Sequence, residues 1–195
     1  MKKHLLLFVF LSTLFVTVNA QIGVMAGGNF ATYNEPSDDY SYLPGVNAFV
    51  IFEKDVIPMT DLRVGFGYIQ KGTAGTVLGV DYISKLNYLQ LNLHANIKPP
   101  LLPLYAFVGP YVSYGLSGYT KVGSISADIT FDSDHTNPFD MGLNMGVGFQ
   151  KKIIVSKIFL EVGYSMGMMN IDKSGLTDYT KNSGIYIDLG FTLGK

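Results

Sequence analysis

The chain has 195 residues, 48% of them hydrophobic and only 15% charged, with a formal net charge of −1. That balance leaves no electrostatic footprint for nucleic acid, and the length suits a single domain. No cysteine is present, which excludes disulfides, thiolate metal sites, cysteine nucleophiles and lipidation of an N-terminal cysteine.

The first twenty residues have the layout of a secretory signal. Lys2 and Lys3 form a basic start, Leu5 to Val16 a short apolar core, and Val18 and Ala20 the small residues before a cleavage point. Gln21 is then the first residue of the mature chain, and residues 21–195 are one domain. The alternative, a retained anchor, conflicts with the shortness of the apolar run. Loss of Lys2 and Lys3 takes the basic count from 14 to 12 against 15 acids, a net charge of −3. No later run approaches the length of a membrane-spanning helix.

Beyond Ala20, 22 glycines and 26 tyrosines plus phenylalanines in the whole chain favour strands over helices. Eight segments alternate with period two: about 21–32, 43–53, 61–71, 86–97, 104–117, 139–150, 157–168 and 184–194. Each has the length of a tilted strand crossing a bilayer. The separators alternate as well. "YNEPSDDYSY", "GTAGTVLGVDYIS", "GYTKVGSISADITFDSDHTNP" and "NIDKSGLTDYTKNS" are longer or more polar, whereas "KDVIPMTD", "KPPLLP" and "KKIIVS" are short. Long outer loops and short periplasmic turns have this rhythm, with both ends of the chain in the periplasm.

One face of the strands carries Val46, Ala48, Val50 and Phe52, then Leu62, Val64, Phe66 and Tyr68, and later Ile185, Ile187, Leu189 and Phe191. The other carries mainly Gly, Asn, Ser and Tyr, with few charges. A soluble lipocalin-like barrel would place the apolar face inside and need a charged outer surface. Small polar residues fit the crowded inside of an eight-stranded barrel instead. The expected fold is therefore all-β, an eight-stranded antiparallel up-and-down barrel spanning an outer membrane, with lipid on its apolar face. Tyr68, Tyr114 and Tyr164 are candidates for interfacial aromatic belts.

Several strands resemble a known family. "VGFGYIQKGT", "LNYLQLNLHANIKP", "LYAFVGPYVSYGLSG", "FDMGLNMGVGFQ" and "IFLEVGYSMGMMNI" are similar to successive strands of the PorT-like outer-membrane β-barrel family of Bacteroidetes-type bacteria. The likeness runs from about Gly65 to Ile171, with Asn92 standing where that family usually has proline. It implies a location and an architecture. The namesake type is associated with protein secretion and gliding machinery, a role that fold alone does not transfer.

Candidate chemistry is sparse. His94 could act as the base of a membrane-embedded lipid-modifying enzyme, with a serine such as Ser113 as nucleophile. No Gly-x-Ser-x-Gly supports that, and an inward polar filler is the expected role. Asp128, Asp132, Asp134, His135 and Asp140 recur in "DITFDSDHTNPFD", but the glycine and terminal glutamate of an EF-hand are missing, so a solvated acidic loop is expected. Arg63, Asp140, Glu161 and Asp188 fall on the inward face, where isolated ions are costly and opposite charges should meet. Arg63, Glu161 and Asp188 form either a selectivity constriction or a structural plug, and the narrow bore of eight strands favours the plug, while Asp140 is expected in an ion pair. Glycines spaced by two leave room for Tyr88, Tyr105, Tyr111 and Tyr186. No phosphate-cradling motif or other cofactor signature is present. The expected partners are outer-membrane lipid and a protein met through the loops 118–138 and 169–183, with Tyr40, Tyr42, Tyr119 and Tyr179 as contact residues.

Overall fold

The structure, a computed structural model, describes residues 20–34, 40–77, 79–131, 136–154, 156–173 and 180–193. The segment read as a secretory signal lies outside these, apart from Ala20. Among the described residues ten strands are formed: β1 (Gln21–Tyr33), β2 (Tyr40–Ser41), β3 (Leu43–Ile57), β4 (Thr60–Val77), β5 (Val80–Ile97), β6 (Leu104–Val122), β7 (Ile125–Asp128), β8 (Phe139–Ile153), β9 (Ser156–Gly167) and β10 (Asn182–Leu193). The eight long ones pair antiparallel with their neighbours in sequence, and β1 pairs with β10, so the sheet closes on itself. Closure removes every long edge.

The parity read from the sequence sets the two faces. Val24, Phe66, Leu91, Val147 and Leu189 point out, and Val147 and Leu189 keep about 60% of their surface exposed. A girdle of exposed aliphatic side chains around a closed barrel is a lipid face. Arg63, Asp140, Glu161 and Asp188 point in and are buried, which rules out the inverted, lipocalin-like arrangement. Tyr114 meets Phe139 edge to face at 5.3 Å on the outer surface, near the long loops. Tyr164 is also outward, whereas Tyr68 is half-buried and donates a hydrogen bond to Asn87 at 2.6 Å.

The inward face is less polar than its glycines and asparagines suggest. Met25, Phe49, Ile51, Ile69, Phe107 and Phe159 are buried beside the tyrosines. In β3 the run Ala48–Phe52 is apolar on both faces, with Phe49 and Ile51 inside and Val50 outside.

The glycines have a specific partner rule. Tyr105 lies opposite Gly148, Phe107 opposite Gly146, Tyr111 opposite Gly142, Tyr186 opposite Gly163, and Phe159 opposite Gly190. In each pair the ring lies where a Cβ on the glycine would go. Large rings therefore fill a narrow bore by lying flat on neighbouring strands. Tyr88 faces Gly115 in register, but there the space over the glycine is taken by Phe131, which meets Tyr88 edge to face at 5.7 Å.

The separators differ from expectation in one respect. "GTAGTVLGVDYIS" is no open loop: β4 and β5 contain 18 residues each and stay paired as far as Val77 and Val80, with Gly79 at φ 78°. β6, at 19 residues, also overshoots and forms a hairpin with β7 through Gly123, φ 57°. About 9–11 residues suffice for a tilted crossing, so these ends stand clear of the bilayer. With β2 paired to β4, they make a small sheet above the barrel. The apolar signal stops at the membrane boundary, whereas strand pairing continues through Thr73, Thr76 and Ile83, which suit strands in water.

Candidate functional site

The lumen holds two ionic clusters. The lower one lies near the short turns. Glu53 and Arg63 face each other across β3 and β4. Arg63 Nε donates to Glu53 Oε2 at 2.9 Å, and its Nη1 donates to Glu161 Oε1 on β9. Tyr105 OH donates to the same Glu161 oxygen, and the guanidinium lies 4.3 Å from the centre of the Phe159 ring. Lys157 and Lys98 both reach Glu53 Oε1, and Lys98 also pairs with Asp61. A planar guanidinium bridging two carboxylates while lying on an aromatic ring uses the geometry that lysine lacks.

The upper cluster centres on Lys71. Its Nζ donates to Asp140 Oδ2 at 2.9 Å and to Ser113 Oγ at 3.2 Å, and it sits 3.9 Å from the Tyr111 ring centre. Asn182 Nδ2 donates to Asp140 Oδ2 at 3.1 Å. A relay leads downward from here. Ser113 Oγ donates to Gln90 Oε1, Gln90 Nε2 to Asn92 Oδ1, and Asn144 Nδ2 to both Asn92 Oδ1 and His94 Nε2. His94 stacks on Phe107 with centroids 5.2 Å apart. Its imidazole is thus held by an amide and a ring. Ser113 pairs in register with Gln90, four residues along β5 from His94, or about 13 Å at strand rise. The structure does not bring this serine to the histidine.

Of the charges singled out in the sequence, Arg63 and Glu161 are joined, and Asp140 is joined to Lys71. Asp188 makes no ion pair among the described residues. Sequence reasoning missed Glu53, Asp61, Lys71, Lys98 and Lys157. The signal for three of them was present: Glu53 follows Asn47 at even spacing, Lys71 follows Arg63, and Lys157 precedes Glu161.

The loop residues divide differently. Tyr42 is 52% exposed. Tyr119 is half-buried within β6, paired with Lys85 and Asp128. Tyr40 belongs to β2, and Asp128 is exposed on β7. Tyr179, Asp132, Asp134 and His135 lie outside the described residues. Part of the long loop after β7 turns inward: Ile129 and Phe131 pack on the lumen core, and Ile171 is buried within it. A backbone hydrogen bond from Asn137 N to Ile171 O ties the two outer loops together, and one from Ile171 N to Thr180 O lies within the second.

Side chains therefore fill the bore. Among the described residues, lumenal cavities of about 20 Å³ include one lined by Asn47, His94 and Asp188 and one lined by Asn29, Lys71 and Asn182. Each has room for a single small occupant. Chemically, this arrangement pairs most of the buried charge inside a filled bore.

Comparison with known proteins agrees with the fold. The outer membrane protein beta-barrel domain family matches residues 17–173. Neisserial surface protein A superposes with a TM-score of 0.56 at 14% identity, over 90% of this chain and 99% of that one. The attachment invasion locus protein Ail of Yersinia pestis gives 0.47 at 11% identity, covering 90% and 99%. The N-terminal barrel domain of Pseudomonas aeruginosa OprF gives 0.46 at 10% identity, covering 90% and 98%. No curated protein matches the sequence. With a closed eight-stranded barrel, an aliphatic outer girdle and a family match over most of its length, the chain belongs to the outer membrane protein beta-barrel domain family and resides in the cell outer membrane.

Proposed function

We propose that the protein is a non-enzymatic, non-conducting barrel that holds a contact surface outside the cell. The observation that carries this reading is the combination of a plugged lumen with strands that outrun the membrane. Arg63, Glu53 and Glu161 lock the lower bore, Lys71 and Asp140 the upper, and Phe131 and Ile171 fold in above them. The investment in regular structure above the membrane, in β2, the β4–β5 hairpin and the β6–β7 hairpin, supports a platform for a protein partner. Tyr42 at the foot of this sheet is an exposed aromatic of the kind that anchors contacts.

Within the family, we assign the chain to the PorT-like type of Bacteroidetes-type bacteria, on "YIQKGT", "VGPYVSYG" and "VGYSMG". Residues 1–20 are its export signal, so Gln21 begins the mature protein. One preparation tests these points. Barrel extracted from outer membranes should have an intact mass that begins at Gln21. In planar bilayers it should give no conductance steps, both intact and with residues 74–82 replaced by a short glycine turn. Steady openings in the intact protein would replace this reading with that of a pore.

A further inference from the structure

Four residues that line the first lumenal cavity each carry a polar oxygen with no hydrogen-bond partner among the described residues. Asn47 Oδ1, Asn144 Oδ1, Asp188 Oδ1 and Tyr186 OH are all buried and lack a hydrogen bond among the described residues, and all four residues line the same 20 Å³ space. Asp188 is 1% exposed and Asn144 2%. The orientation of the Asn144 amide is fixed, because its nitrogen already donates to Asn92 and His94. Asn47 and Asp188 lie in one lateral row with Gly27 between them. A Cβ on Gly27 would run into Asp188 Oδ1, so the carboxylate takes the place of the missing side chain.

The charge count points the same way. The upper cluster is balanced, Lys71 against Asp140. Among the described residues, the lower half of the lumen has three cations, Arg63, Lys98 and Lys157, against four carboxylates, Glu53, Asp61, Glu161 and Asp188. With every carboxylate counted as ionised the formal surplus is one negative charge, and Asp188 is the carboxylate in no ion pair among the described residues. Burying such a charge in a low-dielectric bore is costly unless it is compensated.

We propose that this cavity binds one dehydrated monovalent cation of sodium size, held by Asp188 Oδ1, the amide oxygens of Asn47 and Asn144, and Tyr186 OH. A single carboxylate and a single surplus charge match a monovalent ion. Calcium sites gather six to eight oxygens, usually with several carboxylates. The ion locks β3, β8 and β10 together across the bore.

The test is refolding of the full mature barrel in sodium chloride or in choline chloride at equal ionic strength. Heat-modifiable gel mobility then gives the unfolding midpoint in each. Sodium should raise the midpoint of the wild type by roughly 3–6 °C, and Asp188→Asn should abolish the difference. Equal wild-type midpoints in the two salts would overturn the proposal, as would a sodium effect that survives in Asp188→Asn. Should that variant not refold, high-resolution crystals of the wild type grown in sodium chloride decide. A peak nearer to Asp188 Oδ1 and the Asn47 and Asn144 amide oxygens than hydrogen-bond distance supports the site, and a peak at ordinary water hydrogen-bond distance refutes it.

Discussion

Replacing Arg63 by alanine is expected to destabilise the barrel by about 3–5 kcal/mol, because it leaves two buried carboxylates without their shared cation. Arg63 is 2% exposed and bridges Glu53 and Glu161 from its two ends. Lys157 and Lys98 would still hold Glu53, but Glu161 would keep only the Tyr105 hydroxyl among the described contacts. Arg63→Lys should recover only part of the loss, since an ammonium does not reach both carboxylates while lying on Phe159. The combined variant Arg63→Met with Glu161→Gln should be milder than Arg63→Ala, because removing both charges also removes their desolvation cost. The chain has no tryptophan, so far-UV circular dichroism in urea or heat-modifiable gel mobility is the suitable readout. An Arg63→Ala barrel as stable as the wild type would show that the lower cluster is wet and open.

The second large effect concerns glycine. Gly163→Leu should cost about 1–3 kcal/mol through overpacking, although leucine is the better strand former. The Tyr186 ring lies against Gly163, and the two are directly paired across β9 and β10. A side chain there must push a buried tyrosine into a filled bore. Adding Tyr186→Ala to Gly163→Leu should recover part of the loss, which separates packing from backbone effects. Gly28→Ala supplies the contrast. Gly28 faces outward, and a Cβ there would have only the Gly45 carbonyl oxygen, at 3.8 Å, nearby. That change should be neutral or slightly stabilising by the same unfolding assay.

These two sites show what could be read from the chain before its fold was known. Alternation such as Leu89, Leu91, Leu93 against Gln90, Asn92, His94 fixes both the strand and its faces, because a one-residue slip would put polar groups into lipid. Small residues on the second face already mark it as a crowded lumen. The cross-strand marriage of each ring to its glycine is invisible in the same text, because it depends on register between strands. Glu53, Lys71 and Lys157 carry the right parity, yet they sit toward strand ends where a long charged side chain reads as an interfacial one. Only closure of the barrel brings Lys157 to Glu53, across 104 positions of sequence. The hairpins above the membrane were equally hidden, since hydropathy reports lipid contact and not strand pairing. The inward fold of Phe131 and Ile171 depends on contacts between loops far apart in sequence and has no local signal.

On β5 the odd register faces lipid and the even register is buried in the filled bore. The chain has no cysteine of its own, so single cysteines can be placed at each position from 88 to 97, spin-labelled and reconstituted in lipid. Collision with oxygen and with a water-soluble nickel chelate then reads each site. Leu89, Leu91, Leu93 and Ala95 should be open to oxygen, while Tyr88, Gln90, Asn92 and His94 should be shielded from both reagents. Strong nickel access at the even positions would contradict the account by revealing a water-filled bore, and strong nickel access at the odd ones by placing the aliphatic girdle in water.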